Sequence, residues 1–261
     1  MPKLERDGVA LNYVEKGSGD PPVLLIHAWG GDRDFMAPQL EHFSKHHRTI
    51  AVDLRGHGES GKPEGEYAMD TFVKDLAFVR EQLGLKKPII VGHSLGGMIA
   101  LAFAASAPKD VTAVALLDSP IVTPPGLLEN FKSVIEPLRS PAYPQVMRQF
   151  IGSFVGFSDD PARKEQVLAQ MAANPQHAMV STIEHCLAQD TAADAKKCTV
   201  PFLYVASGPW YTDVARLREL CPQLVTGQTV GSGHFHTIEV PDQVNAIVGR
   251  FIQLAVAAPA S

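Results

Sequence analysis

The stretch Gly92-His93-Ser94-Leu95-Gly96 is the part of this 261-residue sequence whose residue types and order point most directly to chemistry. It follows the apolar run Pro88 to Val91 and precedes a helical stretch from Gly97 to Ala105, so Ser94 stands on a tight strand-to-helix turn with a glycine on each side. The glycines let the turn close and the helix approach the sheet, which leaves the serine hydroxyl beyond the strand end as a potential nucleophile. The helix that begins here leaves the amide of Leu95 without an intrahelical acceptor, aimed where an oxyanion would form. A second amide is expected from His27-Ala28-Trp29-Gly30, the loop after Val23 to Ile26, with Trp29 as the donor. The plain structural alternative is a Gly-rich turn with a capping serine; the strand-turn-helix setting favours the chemical reading.

Such groups need a rigid frame. Val23 to His27, Thr49 to Asp53, Pro88 to Gly92, Val111 to Leu117, Phe202 to Ala206 and Leu224 to Thr229 read as buried strands separated by longer helical stretches. Phe35, Leu40 and Phe43 form the apolar face of one such stretch, and Phe72, Leu76, Val79 and Leu83 that of another. This alternation predicts an α/β fold with a mostly parallel, doubly wound sheet, opened by a hairpin at Asp7-Gly8. Between Ser119 and Lys197 no strand is apparent and prolines cut the chain into short helical pieces. We expect a core domain in two parts, residues 1–118 and 198–261, interrupted by a helical cap over residues 119–197. Two apolar faces in the cap, Phe131/Val134/Ile135/Leu138 and Met179/Val180/Ile183/Leu187, are expected to pack on the core and roof a site at the strand ends.

The combination of His27-Ala28-Trp29-Gly30, Asp53-Leu54-Arg55-Gly56-His57-Gly58-Glu59-Ser60, the Ser94 turn and Gly233-His234-Phe235 resembles the α/β-hydrolase superfamily, in its serine esterase and lactonase branch. The resemblance covers nearly the whole chain apart from the cap. It implies the fold above, a structural role for the Arg55 to Ser60 loop, and a catalytic histidine just after the last strand. His234 fits that place, with His236 as the rival. The family's triad acid commonly lies three residues after a glycine that ends the strand Phe202 to Ala206, and here that position is Tyr211. Two candidates remain: Asp118 at the end of Val111 to Leu117, an alternative position in branches of the superfamily and our preference, and Asp213. The implied reaction is acyl transfer from an ester or lactone to water, with Ser94, His234 and Asp118 as the triad and Trp29 and Leu95 as the oxyanion hole, without cofactor or metal. A serine at the turn argues against dehalogenase and epoxide hydrolase chemistry, which on this scaffold uses an aspartate nucleophile. Two alternatives stay open. One is a cofactor-free dioxygenase acting on an N-heteroaromatic ring, whose relatives share a Gly-Trp loop, an acid after the earlier strand and a tail similar to His234-Phe235-His236-Thr237-Ile238-Glu239-Val240-Pro241-Asp242. The other is a non-catalytic ligand receptor.

Composition narrows the remaining classes. With 45% apolar and 20% charged residues the chain can bury a core, and a net charge of -5 without a basic stripe gives nucleic acid no electrostatic footing. Apolar runs such as Pro21 to Ile26 are too short to span a bilayer, so no membrane partner is expected. Met1 to Asp7 lacks the basic-then-apolar pattern of a secretory signal, and Cys186, Cys198 and Cys221 are an odd number without metal-type spacing. Free thiols in a cytoplasmic protein are therefore expected; the small-molecule ester or lactone substrate is what the resemblance implies, and either a monomer or a homodimer is expected.

Overall fold

The computed structural model describes residues 2–156, 160–208 and 210–257. Lys3–Arg6 (β1) and Val9–Lys16 (β2) form the expected hairpin, and its two turn residues, Asp7 and Gly8, have φ of 52° and 75°. Positive φ at both central residues is what a tight hairpin with right-handed strand twist requires. The chain then runs through Val23–Ile26 (β3), Ala37–Phe43 (α1), Thr49–Val52 (β4), Met69–Gln82 (α2), Ile89–His93 (β5), Leu95–Ser106 (α3) and Ala113–Leu117 (β6). Six helices come next: Pro125–Ser133 (α4), Ile135–Arg139 (α5), Tyr143–Gly152 (α6), Pro161–Ala172 (α7), Gln176–Ala188 (α8) and Thr191–Lys197 (α9). Phe202–Ala206 (β7), Val214–Leu220 (α10), Leu224–Gln228 (β8), His236–Glu239 (α11) and Pro241–Ala257 (α12) complete it. Helix α12 runs to Ala257, and residues 258–261 lie outside the described part.

The eight strands form one sheet in the order β1-β2-β4-β3-β5-β6-β7-β8, parallel except where β2 meets β1 and β4. Strands β3 to β7 are buried on both faces, which explains their continuous Val/Ile/Leu/Ala character. The sheet's last strand differs from expectation: β8 is an edge, and Val225 on it is 45% exposed. On one face, Met36, Leu40 and Phe43 meet Val244, Val248 and Phe251 of α12. On the other, α2 and α3 cover the sheet and α9 lies against α3, while residues from α4 to α8 pack onto the same apolar cluster. Ten of the twelve residues of α3 are buried, as expected of a helix enclosed on all sides. Among the described residues no helix is long and apolar enough to cross a membrane.

Pairing between β5 and β6 aligns the ends of the two central strands. His93 lies opposite Leu117, so Ser94 and Asp118 are the first residues beyond two adjacent parallel strand tips.

Candidate active site

Ser94 occupies the turn between β5 and α3 with φ 53° and ψ -114°, a strained backbone that a non-glycine residue adopts only when its surroundings force it. Its amide donates to the Leu117 carbonyl at 2.8 Å, and its carbonyl accepts from Gly97 at 3.0 Å. The flanking glycines are required by close approach: a Cβ on Gly92 would lie 2.2 Å from the Gly96 carbonyl oxygen, and one on Gly96 would lie 2.4 Å from that of Ile26.

Asp118 also has positive φ, 50°, and is fully buried. Its Oδ2 accepts from His234 Nδ1 at 2.8 Å and from the Ser207 hydroxyl at 2.7 Å, while Oδ1 accepts from the Ser207 amide at 2.9 Å. A carboxylate facing Nδ1 fixes that nitrogen as the protonated one and leaves Nε2 with a free lone pair. The two rival residues are engaged elsewhere. Asp213 is exposed and caps α10 by accepting from the Arg216 amide at 3.0 Å. His236 is buried, with Nδ1 3.2 Å from Thr229 Oγ1, and burial pushes its pKa down to about 4.

The His234 main chain is held from two sides. Its carbonyl accepts from His93 Nε2 at 2.8 Å, and its amide donates to the Phe154 carbonyl at 2.8 Å. His93 is completely buried, and that burial first, then the neighbouring His234 and His236, drives its pKa well below the usual histidine value. It is therefore a neutral ring with its proton on Nε2.

The loop after β3 is pinned as firmly. His27 donates from Nδ1 to the Ala28 carbonyl at 2.7 Å and accepts at Nε2 from the Leu54 amide at 3.0 Å. The buried Asp53 carboxylate gathers the amides of Arg33 at 2.8 Å and Glu59 at 2.9 Å together with the Arg33 guanidinium, which accounts for the structural role of the 53–60 stretch. Trp29, whose amide is the expected oxyanion donor, donates its indole N–H to the Met179 carbonyl of α8 at 3.1 Å and packs edge-on against Phe150.

Ser94, Asp118, His234, Trp29 and Leu95 all border one cavity of about 90 Å³. Most of the rest of its wall is apolar, including Met98, Phe131, Phe150, Phe154, Ile183 and Leu187, with Tyr211 and Cys186 beside them. Of the two expected cap faces, Phe131 from one and Ile183 and Leu187 from the other line it, whereas Val134, Ile135, Leu138, Met179 and Val180 do not.

A family model for the alpha/beta hydrolase fold matches residues 21–241. The chain belongs to the α/β-hydrolase family. A non-heme chloroperoxidase from Streptomyces lividans is 30% identical over 224 residues, covering 77% of this chain and 79% of that protein. Other curated relatives are longer than the matched stretch: the chain spans 30% of the dihydrolipoyllysine-residue acetyltransferase component of the acetoin cleaving system of Cupriavidus necator, at 35% identity over 115 residues and 44% of this chain. It spans 34% of epoxide hydrolase 4 from Mus musculus, at 31% identity over 121 residues and 45% of this chain. Among solved structures, an esterase from Thermogutta terrifontis superposes with a TM-score of 0.85 at 22% identity, covering 98% of this chain and 99% of that one. The enol-lactonase from Burkholderia xenovorans LB400 does so with 0.85 at 23% identity, covering 97% and 100%. At those identities the likeness shows a shared fold.

Within this α/β-hydrolase framework, several contacts of the site have no local signal in the sequence. Ser207 steadies Asp118, His93 holds the His234 carbonyl, and Glu239 accepts from the Gly233 amide at 2.6 Å. The one usable cue is His93 itself, a polar residue in an otherwise apolar strand.

Proposed function

We propose that this chain is a serine hydrolase that cleaves carboxylic esters or lactones carrying a small to medium apolar acyl group. The observation that carries the reading is the 2.8 Å contact between His234 Nδ1 and Asp118 Oδ2 beside the strained Ser94, all three on one apolar cavity. His234 Nε2 takes the Ser94 proton, and the resulting alkoxide attacks the carbonyl carbon. The Trp29 and Leu95 amides hold the tetrahedral oxyanion; its collapse expels the alcohol, which leaves with the proton from His234. Water then attacks the acyl-enzyme by the same proton route, releasing the acid and restoring Ser94. The esterase and the lactonase that share this fold support the substrate class, and Ser94 stands where an aspartate would be needed for epoxide opening through an alkyl-enzyme. A cavity of about 90 Å³ is smaller than the ~150 Å³ that houses a benzene molecule, which favours short acyl chains.

The test is hydrolysis of p-nitrophenyl esters of graded acyl length by the parent and by Ser94→Ala, without added metal. A loss on the order of a thousandfold or more in kcat, with fluorophosphonate labelling confined to Ser94, supports nucleophilic acyl transfer. A second reading, cofactor-free oxygenation of an N-heteroaromatic ring, draws support from the acid on β6 and the Trp29 loop. Oxygen uptake with hydroxyquinolone-type substrates, retained in Ser94→Ala while ester turnover is absent, would favour it instead.

A further inference from the structure

The loop that carries His234 does not rest on the sheet alone. Glu239, at the end of α11, turns its carboxylate back along this loop: Oε2 accepts from the Gly233 amide at 2.6 Å, and Oε1 accepts from the Gly156 amide at 3.2 Å. Gly156 belongs to the cap segment after α6, and two residues earlier the Phe154 carbonyl accepts from the His234 amide at 2.8 Å. Two stretches of main chain 77 positions apart thus meet without side chains between them. A Cβ on Gly233 would fall 2.4 Å from the Gly156 nitrogen and 2.6 Å from the Phe154 oxygen, and one on Gly156 would fall 2.2 Å from Glu239 Oε2. The same segment reaches the site: the Phe154 ring lines the cavity, with its centroid 5.6 Å from that of the His234 ring.

We propose that Glu239 is a positioning residue that clamps the cap segment Phe154–Gly156 to the histidine loop, so that the cap itself holds the catalytic base in place. The inference rests on His234 acting as the base. The physical reason lies in how the His234 backbone is divided: its carbonyl is tied to β5 through His93, its amide to the cap through Phe154. The first tie is to the rigid centre of the sheet. The second is only as firm as the seating of a loop, and a carboxylate accepting from both partners at once is a strong way to keep two chain segments in register. Misplacing a base by about 1 Å can cost on the order of a hundredfold in rate, so the clamp acts on the chemical step. A substrate that pushes Phe154 outward also pulls on the His234 amide, and poor fit therefore lowers kcat more than it raises KM.

Glu239→Gln and Glu239→Ala test this. In the glutamine variant one of the two oxygens becomes an amide NH2 donor that faces an N–H group, so one of the two bonds is lost while size is kept. Expected is a kcat about 5- to 20-fold below the parent for Glu239→Gln and lower again for Glu239→Ala, with KM for a short p-nitrophenyl ester within threefold. The low-field proton resonance of His234 Nδ1–H, assigned by its loss in Asp118→Asn, is expected to broaden or shift in both. Parental kcat and an unchanged resonance in a folded Glu239→Gln protein overturn the proposal, even if its melting temperature falls, since that outcome describes a purely structural contact. Should Glu239→Ala fail to fold, Glu239→Gln decides alone. If the parent turns over no ester, the hydrolase reading fails while the resonance still reports whether Glu239 holds His234.

Discussion

His93 donates its Nε2 hydrogen to the carbonyl of His234 across 141 positions of sequence, a 2.8 Å bond that links the residue before the proposed nucleophile to the backbone of the proposed base. The bond ties the end of β5 to the histidine loop, beside ring contacts of His93 with His234, Phe235 and His236. Replacing His93 with leucine leaves a part-buried carbonyl without its donor, a cost of about 1–3 kcal/mol. If that cost falls on the active arrangement, kcat drops by about 5- to 100-fold with little change in KM. Glutamine, whose amide reaches about as far as Nε2, is expected to restore most of it. Steady-state kinetics on one short ester checks both; equal loss in the two variants would count against a hydrogen-bonding role.

The two candidate acids separate cleanly. Asp118→Asn keeps the shape but removes the charge that holds the Nδ1 tautomer, and a loss of about 10⁴ in kcat is expected. Asp213→Ala deletes only the cap of α10, with about 1 kcal/mol of stability lost and kcat retained. Kinetics and urea midpoints on the pair decide. A large kcat loss in Asp213→Ala would reverse the assignment.

Stability should fall steeply on the acid side. Burial lowers the pKa of His27 to about 4, of His57 to about 3 and of His236 to about 4, and drives that of His93 well down too. In the unfolded chain these rings titrate near the ordinary histidine value of 6.5, so below that pH the unfolded state takes up protons that the folded state refuses. The stability they contribute is complete above pH ~6.5 and is lost as pH drops from there toward about 4, at up to ~1.4 kcal/mol per pH unit for each ring. Urea midpoints at pH 7.5, 6.5 and 5 are expected to fall slightly over the first interval and sharply over the second. A level profile down to pH 5 would mean that the rings are hydrated and titrate freely.

Phe150 lines the cavity, packed between Trp29 at 6.0 Å and Phe154 at 4.9 Å between ring centroids. Phe150→Ala is expected to move the acyl-length optimum toward longer chains and to weaken kcat/KM for acetate esters. Because the ring is only half-buried, the stability cost should stay below the ~3–5 kcal/mol of a fully enclosed phenylalanine. An unmoved optimum would place the acyl group elsewhere in the cavity.

Much of the frame is legible in the sequence because it is local. Strands with unbroken β-branched and aliphatic runs, the Asp7-Gly8 hairpin and the turn around Ser94 each announce themselves within a window of about five to eight residues. Strand β8 reads as buried in the sequence because a short mixed run cannot tell an edge from a centre; its exposure comes from having a neighbour on one side only. Contacts among loops are beyond reach for a different reason. Nothing near Glu239 says that it will face Gly156, and nothing near Ser207 says that its hydroxyl will face Asp118; both depend on how the cap and sheet close on each other. Between Asp118 and Asp213 the chain alone leaves a choice, whereas the register of β6 beside β5 brings Asp118 to the tip adjoining Ser94.

The origin of the carboxylate on β6 has a consequence for how such a protein diversifies. With Asp118 as the proposed triad acid, the loop from β7 to α10 has no proton to handle after Ser207, and Tyr211 fills the place where the resembled family commonly carries its acid. Its ring lies 5.3 Å from that of His234 and forms part of the cavity wall. Selection on substrate range can therefore rewrite this loop while leaving proton transfer intact. In relatives whose acid sits there, every such change risks the triad itself, so relocating one carboxylate by a single strand turns a constrained loop into one open to variation.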